Sequence, residues 1–182
     1  MDRLWRTVLW KQFGATIDML ENALIACPSA QWAGHLWSDP SGQPQPSRFD
    51  AFWSLTHHTL FWLDFYLTGS LEGFTPPTPF TVDEEGAPER IPPDQPYTRE
   101  ELHAYLVQLR QKCQTTLHSL SDEQAHRQVV FPWLGEEPMS FLELQLHSMR
   151  HVQEHAAQLS LFLGQHGIPD EALDWVPRAK DD

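Results

Sequence analysis

Residues 140–167 read SFLELQLHSMRHVQEHAAQLSLFLGQHG. At 100° per residue, Phe141, Leu142, Leu144, Met149, Val152, Ala156, Leu159, Phe162 and Leu163 fall on one broad apolar arc, with Glu143, Arg150, Glu154 and Gln165 opposite. This is the pattern of an amphipathic helix with one buried face. Ser140 followed by Glu143 forms a capping box at its start, and Gly167 with Pro169 stops it after about Gln165 or His166. The same stretch holds His147, His151 and His155. Residues four apart on a helix lie about 40° apart around the axis and about 6 Å along it. Two imidazoles so spaced can reach one ion at about 2.1 Å from each nitrogen. His147 and His155 are about 12 Å apart along the axis and make poor co-ligands. His151 and His155 lie at the apolar edge, whereas His147 leans toward solvent beside Gln165 and Glu154.

Three more segments carry the same period. The first runs from about Arg3 to Ala26, with Leu9, Phe13, Ile17, Leu20 and Leu24 at three- and four-residue steps, and ends at Cys27-Pro28. The second, about Arg48 to Thr68, is expected to start at a Ser47/Asp50 capping box and to stop at Gly69. The third starts at a Thr98/Glu101 box and carries Leu102, Leu106, Leu109, Cys113 and Leu117 inward. Proline-rich stretches separate the helices, the longest being residues 69–97, a length that suggests a covering segment or a contact with a second subunit. The tail from Pro169 is expected to be anchored by Trp175. Period-2 alternation is nearly absent. The expected fold is all-α: a four-helix bundle with long crossover loops, one domain over residues 1–182.

Composition narrows the function. The 182 residues hold 25 acidic and 12 basic side chains, a formal net charge of −13. Phosphate backbones and anionic membranes select positive charge, so neither nucleic acid nor membrane is expected as a partner. No apolar run is long enough to span a bilayer, and no signal peptide is visible. The two cysteines, Cys27 and Cys113, form no CxxC pattern and read as buried free thiols in a reducing, cytoplasmic setting.

A metal site in a bundle draws a third ligand from a facing helix. The pair His57-His58 is the best source. The wheel places His57 with Asp50, Asp64 and Thr68 on the polar side, so it is expected at the surface. His58 falls with Ala51, Trp62 and Phe65 at the buried edge. The candidate metal ligands are therefore His58, His151 and His155. His35, His103, His118, His126 and His166 lack such pairing and read as surface or loop residues. Three neutral imidazoles suit Zn²⁺, Ni²⁺ or Fe²⁺ and leave an open position for water or substrate. A competing motif, HVQEH, matches the inverted zincin pattern, with Glu154 as general base. It needs a downstream acidic ligand. Only Asp170, Glu171, Asp174, Asp181 and Asp182 follow, and the wheel turns Glu154 outward.

The chain resembles the DinB-like superfamily of metal-binding four-helix bundles. HTLFWLDFYL from His58 looks like that family's helix-two block, a ligand histidine followed by aromatic residues. HVQEHAAQL from His151 looks like its helix-four block. Ala156 and Ala157 stand where many members have Arg-Gly, which removes a positive charge near the site. The resemblance implies the same three ligands and a divalent transition metal, Zn²⁺ or Ni²⁺ foremost and Fe²⁺ as a further choice. It implies a small-molecule substrate, including a low-molecular-weight thiol, and a metal-dependent thiol S-transferase or hydrolase. The alternative is a non-catalytic metal-binding bundle used for stability or sensing. It also implies a homodimer, with the broadly apolar second helix as the contact face.

Overall fold

The computed structural model describes residues 2–37, 50–82, 95–135, 137–169 and 175–180. Four long helices make up the body: α1 (Arg3–Ala26), α2 (Phe52–Thr68), α3 (Arg99–Ser119) and α5 (Phe141–Gln165). A short helix, α4 (Asp122–His126), and a two-stranded antiparallel pair, β1 (Gln128–Val129) with β2 (Met139–Ser140), fill the last connection. The fold is all-α, as the periodicity requires. α1 and α2 each pack against both α3 and α5. Helices consecutive in sequence, α1 and α2, therefore face each other across the bundle, and the long connection between them is a crossover.

The ends of the helices follow local chemistry. Asp2 caps α1, accepting from Leu4 N at 3.2 Å. Pro28 forces Cys27 into extended backbone, which ends the helix there. Thr98 and Glu101 form the full reciprocal box on α3. On α5 the Ser140 hydroxyl accepts from Glu143 N at 3.2 Å. Gly69 closes α2 in the left-handed region, at φ 70°. A Cβ there would lie 2.6 Å from Arg127 Nη2 and from Phe141 Cε2, so close packing as well as the positive φ requires glycine.

The start of α2 differs from the sequence expectation. The helix begins at Phe52, and its N-cap, Ala51, makes no side-chain cap. Ser47 lies outside the described residues. Asp50 does not cap; its carboxylate accepts from His35 Nδ1 at 2.9 Å. The first-turn amides are satisfied by backbone instead. Phe52 N donates to Gly34 O at 3.0 Å and Trp53 N to Trp32 O at 3.1 Å. A nearby loop thus supplies the acceptors a capping side chain would have supplied.

The tail is also anchored differently. Trp175 is 69% exposed. Ala179 packs instead against Gly14, where an added Cβ would come within 2.6 Å of the Ala179 Cβ. The Ala179 amide donates to Lys11 O at 2.8 Å. The Lys180 amide donates to the fully buried Asp18 at 2.6 Å.

α2 is buried almost throughout its length. A helix apolar all round belongs inside a protein, and here α3, α5 and the segments flanking residues 83–94 cover it. Among the described residues, no helix is long and apolar enough to cross a membrane. Cys27 and Cys113 are free and buried.

Candidate metal centre

α2 and α5 pack side by side, and their pairing brings His58 against His151 and His155. His151 Nε2 lies 3.3 Å from His58 Nε2 and 3.0 Å from His155 Nε2. One ring nitrogen from each of the three lies within 4.8 Å of the others, the only such group of His, Cys, Asp or Glu among the described residues. All three side chains are half-buried. The three histidines singled out by spacing and wheel position are thus the three the fold brings together.

The donor set fits a divalent ion. Two nitrogens about 2.1 Å from one ion lie about 3.0 Å apart at a right angle and about 3.4 Å apart at the tetrahedral angle. The observed 3.0 and 3.3 Å span that range. Proton positions agree. Gln158 Oε1 sits 2.7 Å from His155 Nδ1. A carbonyl oxygen only accepts, so that Nδ1 carries the proton and Nε2 presents a lone pair to the other two rings. His151 Nε2 cannot both donate and accept. Hydrogen bonding alone therefore leaves one nitrogen contact unmatched, whereas a cation satisfies three lone pairs at once.

Electrostatics favours the same form. Burial lowers the pKa of His58 to about 3, helped by the neighbouring charges of His155 and then His57. Burial likewise lowers His151 to about 3, with His155, His58 and His147 adding repulsion. Both rings are neutral near pH 7, as a metal ligand must be.

The other histidines sort differently from one another. His147 is half-buried and sets its ring edge-on to Tyr66 at 5.5 Å, outside the group of three. His57, expected at the surface, is covered. Its ring stacks on Phe80 at 5.3 Å and meets Tyr97 at 4.8 Å. Its Nε2 is buried without a hydrogen-bond partner, and burial lowers its pKa to about 4. Phe80 and Tyr97 from the proline-rich connection close over the side the wheel read as polar. Asp64, read as polar-face, is buried for a related reason: on the α3 side it accepts from Tyr105 Oη at 2.7 Å and Lys112 Nζ at 2.6 Å. His103 pairs with Glu21 at 2.8 Å. His126 and His166 bond backbone carbonyls of their own helices. Glu154 is exposed. The tail acids that a zincin reading would need lie outside the described residues.

What fold and site define is a helical bundle with a three-histidine centre between its second and last long helices. The family model of the DinB superfamily matches residues 12–159, most of the chain, and the protein belongs to that superfamily. No curated protein matches the chain closely enough to count as a relative. The superfamily and the three-histidine group are together compatible with metal binding.

Proposed function

We propose that this protein is a metal-dependent enzyme acting on a small molecule, a thiol S-transferase or a hydrolase. In this reading His58, His151 and His155 hold one divalent transition ion, Zn²⁺ or Ni²⁺ foremost. The observation that carries it is the convergence of three imidazole nitrogens within 4.8 Å of one another, two of the pairs at 3.0 and 3.3 Å. When bound, the ion supplies Lewis acidity, which lowers the pKa of a thiol placed at its open position.

The chain's own residues do the rest. His58 and His151 stay unprotonated near neutrality because burial opposes their charge. Gln158 holds His155 in the tautomer that turns Nε2 inward. The three rings are half-buried rather than sealed in the core. Neither cysteine serves as the nucleophile. Burial pushes the Cys27 thiol up to about 11 and pushes Cys113 higher still, so both remain protonated. A reacting thiol must therefore come from a substrate.

The test uses protein purified without a histidine tag. After incubation with Zn²⁺ or Ni²⁺ and removal of excess, about one ion per chain is expected. Less than about 0.2 per chain would sink the metal reading. Thiol-dependent turnover of an electrophile panel should then disappear in His151→Ala with helicity retained. Turnover unchanged in that variant would remove the enzymatic reading and leave a non-catalytic metal module.

A further inference from the structure

On α2, His58, Trp62 and Tyr66 follow at four-residue steps and form one stripe about 12 Å long. On α5, His155, His151 and His147 form a second. His58 meets His151 and His155, with ring centroids 5.2 Å apart in each case. Tyr66 meets His147 at 5.5 Å, and its carbonyl accepts from Gln145 Nε2 at 2.9 Å. The stripes therefore run antiparallel, side by side, with the three-histidine centre at one end.

The other end is aromatic. The Trp62 ring lies 6.3 Å from His58, 5.4 Å from Tyr66 and 5.4 Å from Trp133. Trp133 comes from the loop joining β1 to β2. It stacks on Phe131 at 5.3 Å and donates its Nε1–H to Tyr66 Oη at 3.3 Å. Although fixed at these points, it keeps 44% of its surface exposed. Phe61, Phe65, Tyr66 and Phe131 in the same cluster are buried, whereas Trp62 and Trp133 both keep accessible surface. Core packing accounts for the buried rings. It does not account for two indoles held in position with open surface, one of them in contact with a candidate ligand.

We propose that Trp62 and Trp133 form the specificity surface of the metal centre, and that the substrate carries an aryl group next to its metal-binding atom. The inference rests on the metal reading above. Spacing sets the chemistry: a ring attached directly to the coordinating group reaches Trp62, one ring's breadth from His58, and Trp133 lies a further ring beyond. Aromatic side chains prefer offset or edge-to-face partners at such distances. A purely polar substrate would gain nothing from this surface.

Two probes with the same coordinating head test it: acetohydroxamate and benzohydroxamate, titrated by calorimetry into Zn²⁺-loaded, untagged full-length protein. Benzohydroxamate should bind about tenfold more tightly. Trp133→Ala should erase most of that preference while leaving acetohydroxamate affinity within about twofold, and Trp133→Phe should restore part of it. Trp62→Leu gives a second reading of the same surface and should also reduce the preference. A full metal load with equal affinities overturns the aryl surface and leaves the metal centre standing. A preference that survives both Trp133→Ala and Trp62→Leu overturns it as well. A chain that takes up no metal sinks the metal reading and this inference with it.

Discussion

His155 donates its Nδ1 proton to Gln158 Oε1 across 2.7 Å, a bond within one turn of α5. It settles which nitrogen of His155 faces the other two rings. Outer partners of this kind fix ligand orientation and are worth about 10–100-fold in metal affinity. Gln158→Ala should weaken Zn²⁺ binding by about that factor, measured by competition with a chromogenic chelator. Gln158→Glu keeps an acceptor and should retain most of the affinity. The helix should be undisturbed, since Gln158 is only half-buried. Equal affinities in the Ala variant and the native chain would show that the bond orients nothing.

The histidines of α5 should behave unequally, despite their regular spacing. His147 touches Tyr66 and stands apart from the group of three. His147→Ala should therefore bind metal at full stoichiometry. His151→Ala removes the ring whose Nε2 contacts both of the others, so it should lose stoichiometric binding. Circular dichroism of both variants checks that the bundle persists. Metal loss in His147→Ala and retention in His151→Ala would reverse the assignment.

The residues explain why some of this was legible in the sequence and some was not. The long helices are written locally: Thr98 with Glu101 marks a start, Gly69 a stop, and the apolar spacing fixes the inward faces. His151 and His155 are likewise local, because four-residue spacing alone sets their separation. His58 needed only the buried edge of its own helix. A helical wheel, however, sees one helix and assumes one buried face. α2 is covered on nearly every side, so the wheel misplaced His57 and Asp64, whose surroundings come from Phe80, Tyr97, Tyr105 and Lys112. α4 did carry a signal, the Ser121/Gln124 capping box, but five residues are too few to show a period. Trp133 lies in a loop, where position depends on tertiary contacts. The tail contact between Gly14 and Ala179 joins opposite ends of the chain and leaves no local mark.

Stability of the metal-free protein should fall with acid. Folding lowers the pKa of His57 to about 4 and of His58 and His151 to about 3. In the unfolded chain each titrates near about 6.5. Between those values the unfolded state binds more protons, so stability is present above about pH 6.5 and is lost as pH falls toward the folded values. Each group contributes a slope of about 1.4 kcal/mol per pH unit in that window. His57→Phe keeps the stacking on Phe80 and Tyr97 and removes both the proton site and the orphaned Nε2. Urea melts in chelator should show a shallower decline from pH 7 to pH 5 for this variant, with no loss of stability at pH 7. Parallel pH profiles would contradict the burial of His57 as a neutral ring.

The last prediction concerns the tail. Asp18 is fully buried, and both of its carboxylate oxygens are used. Oδ1 accepts from Arg110 Nε at 2.9 Å and Oδ2 from the Lys180 amide at 2.6 Å. Arg110 also donates to Lys180 O at 2.7 Å, so one ion pair ties α1, α3 and the tail together. Removing one member of a buried pair strands the other's charge, at a cost of about 3–5 kcal/mol. Asp18→Ala should fall in that range by urea denaturation and should raise amide exchange at Ala179 and Lys180. Asp18→Asn keeps the shape and one acceptor, and should cost less. The tail packs on the α1–α3 side, whereas the three histidines lie between α2 and α5. Metal stoichiometry should therefore be unchanged in Asp18→Asn. A cost below about 1 kcal/mol for Asp18→Ala, in the range of an exposed pair, would show that this ion pair does not hold the tail.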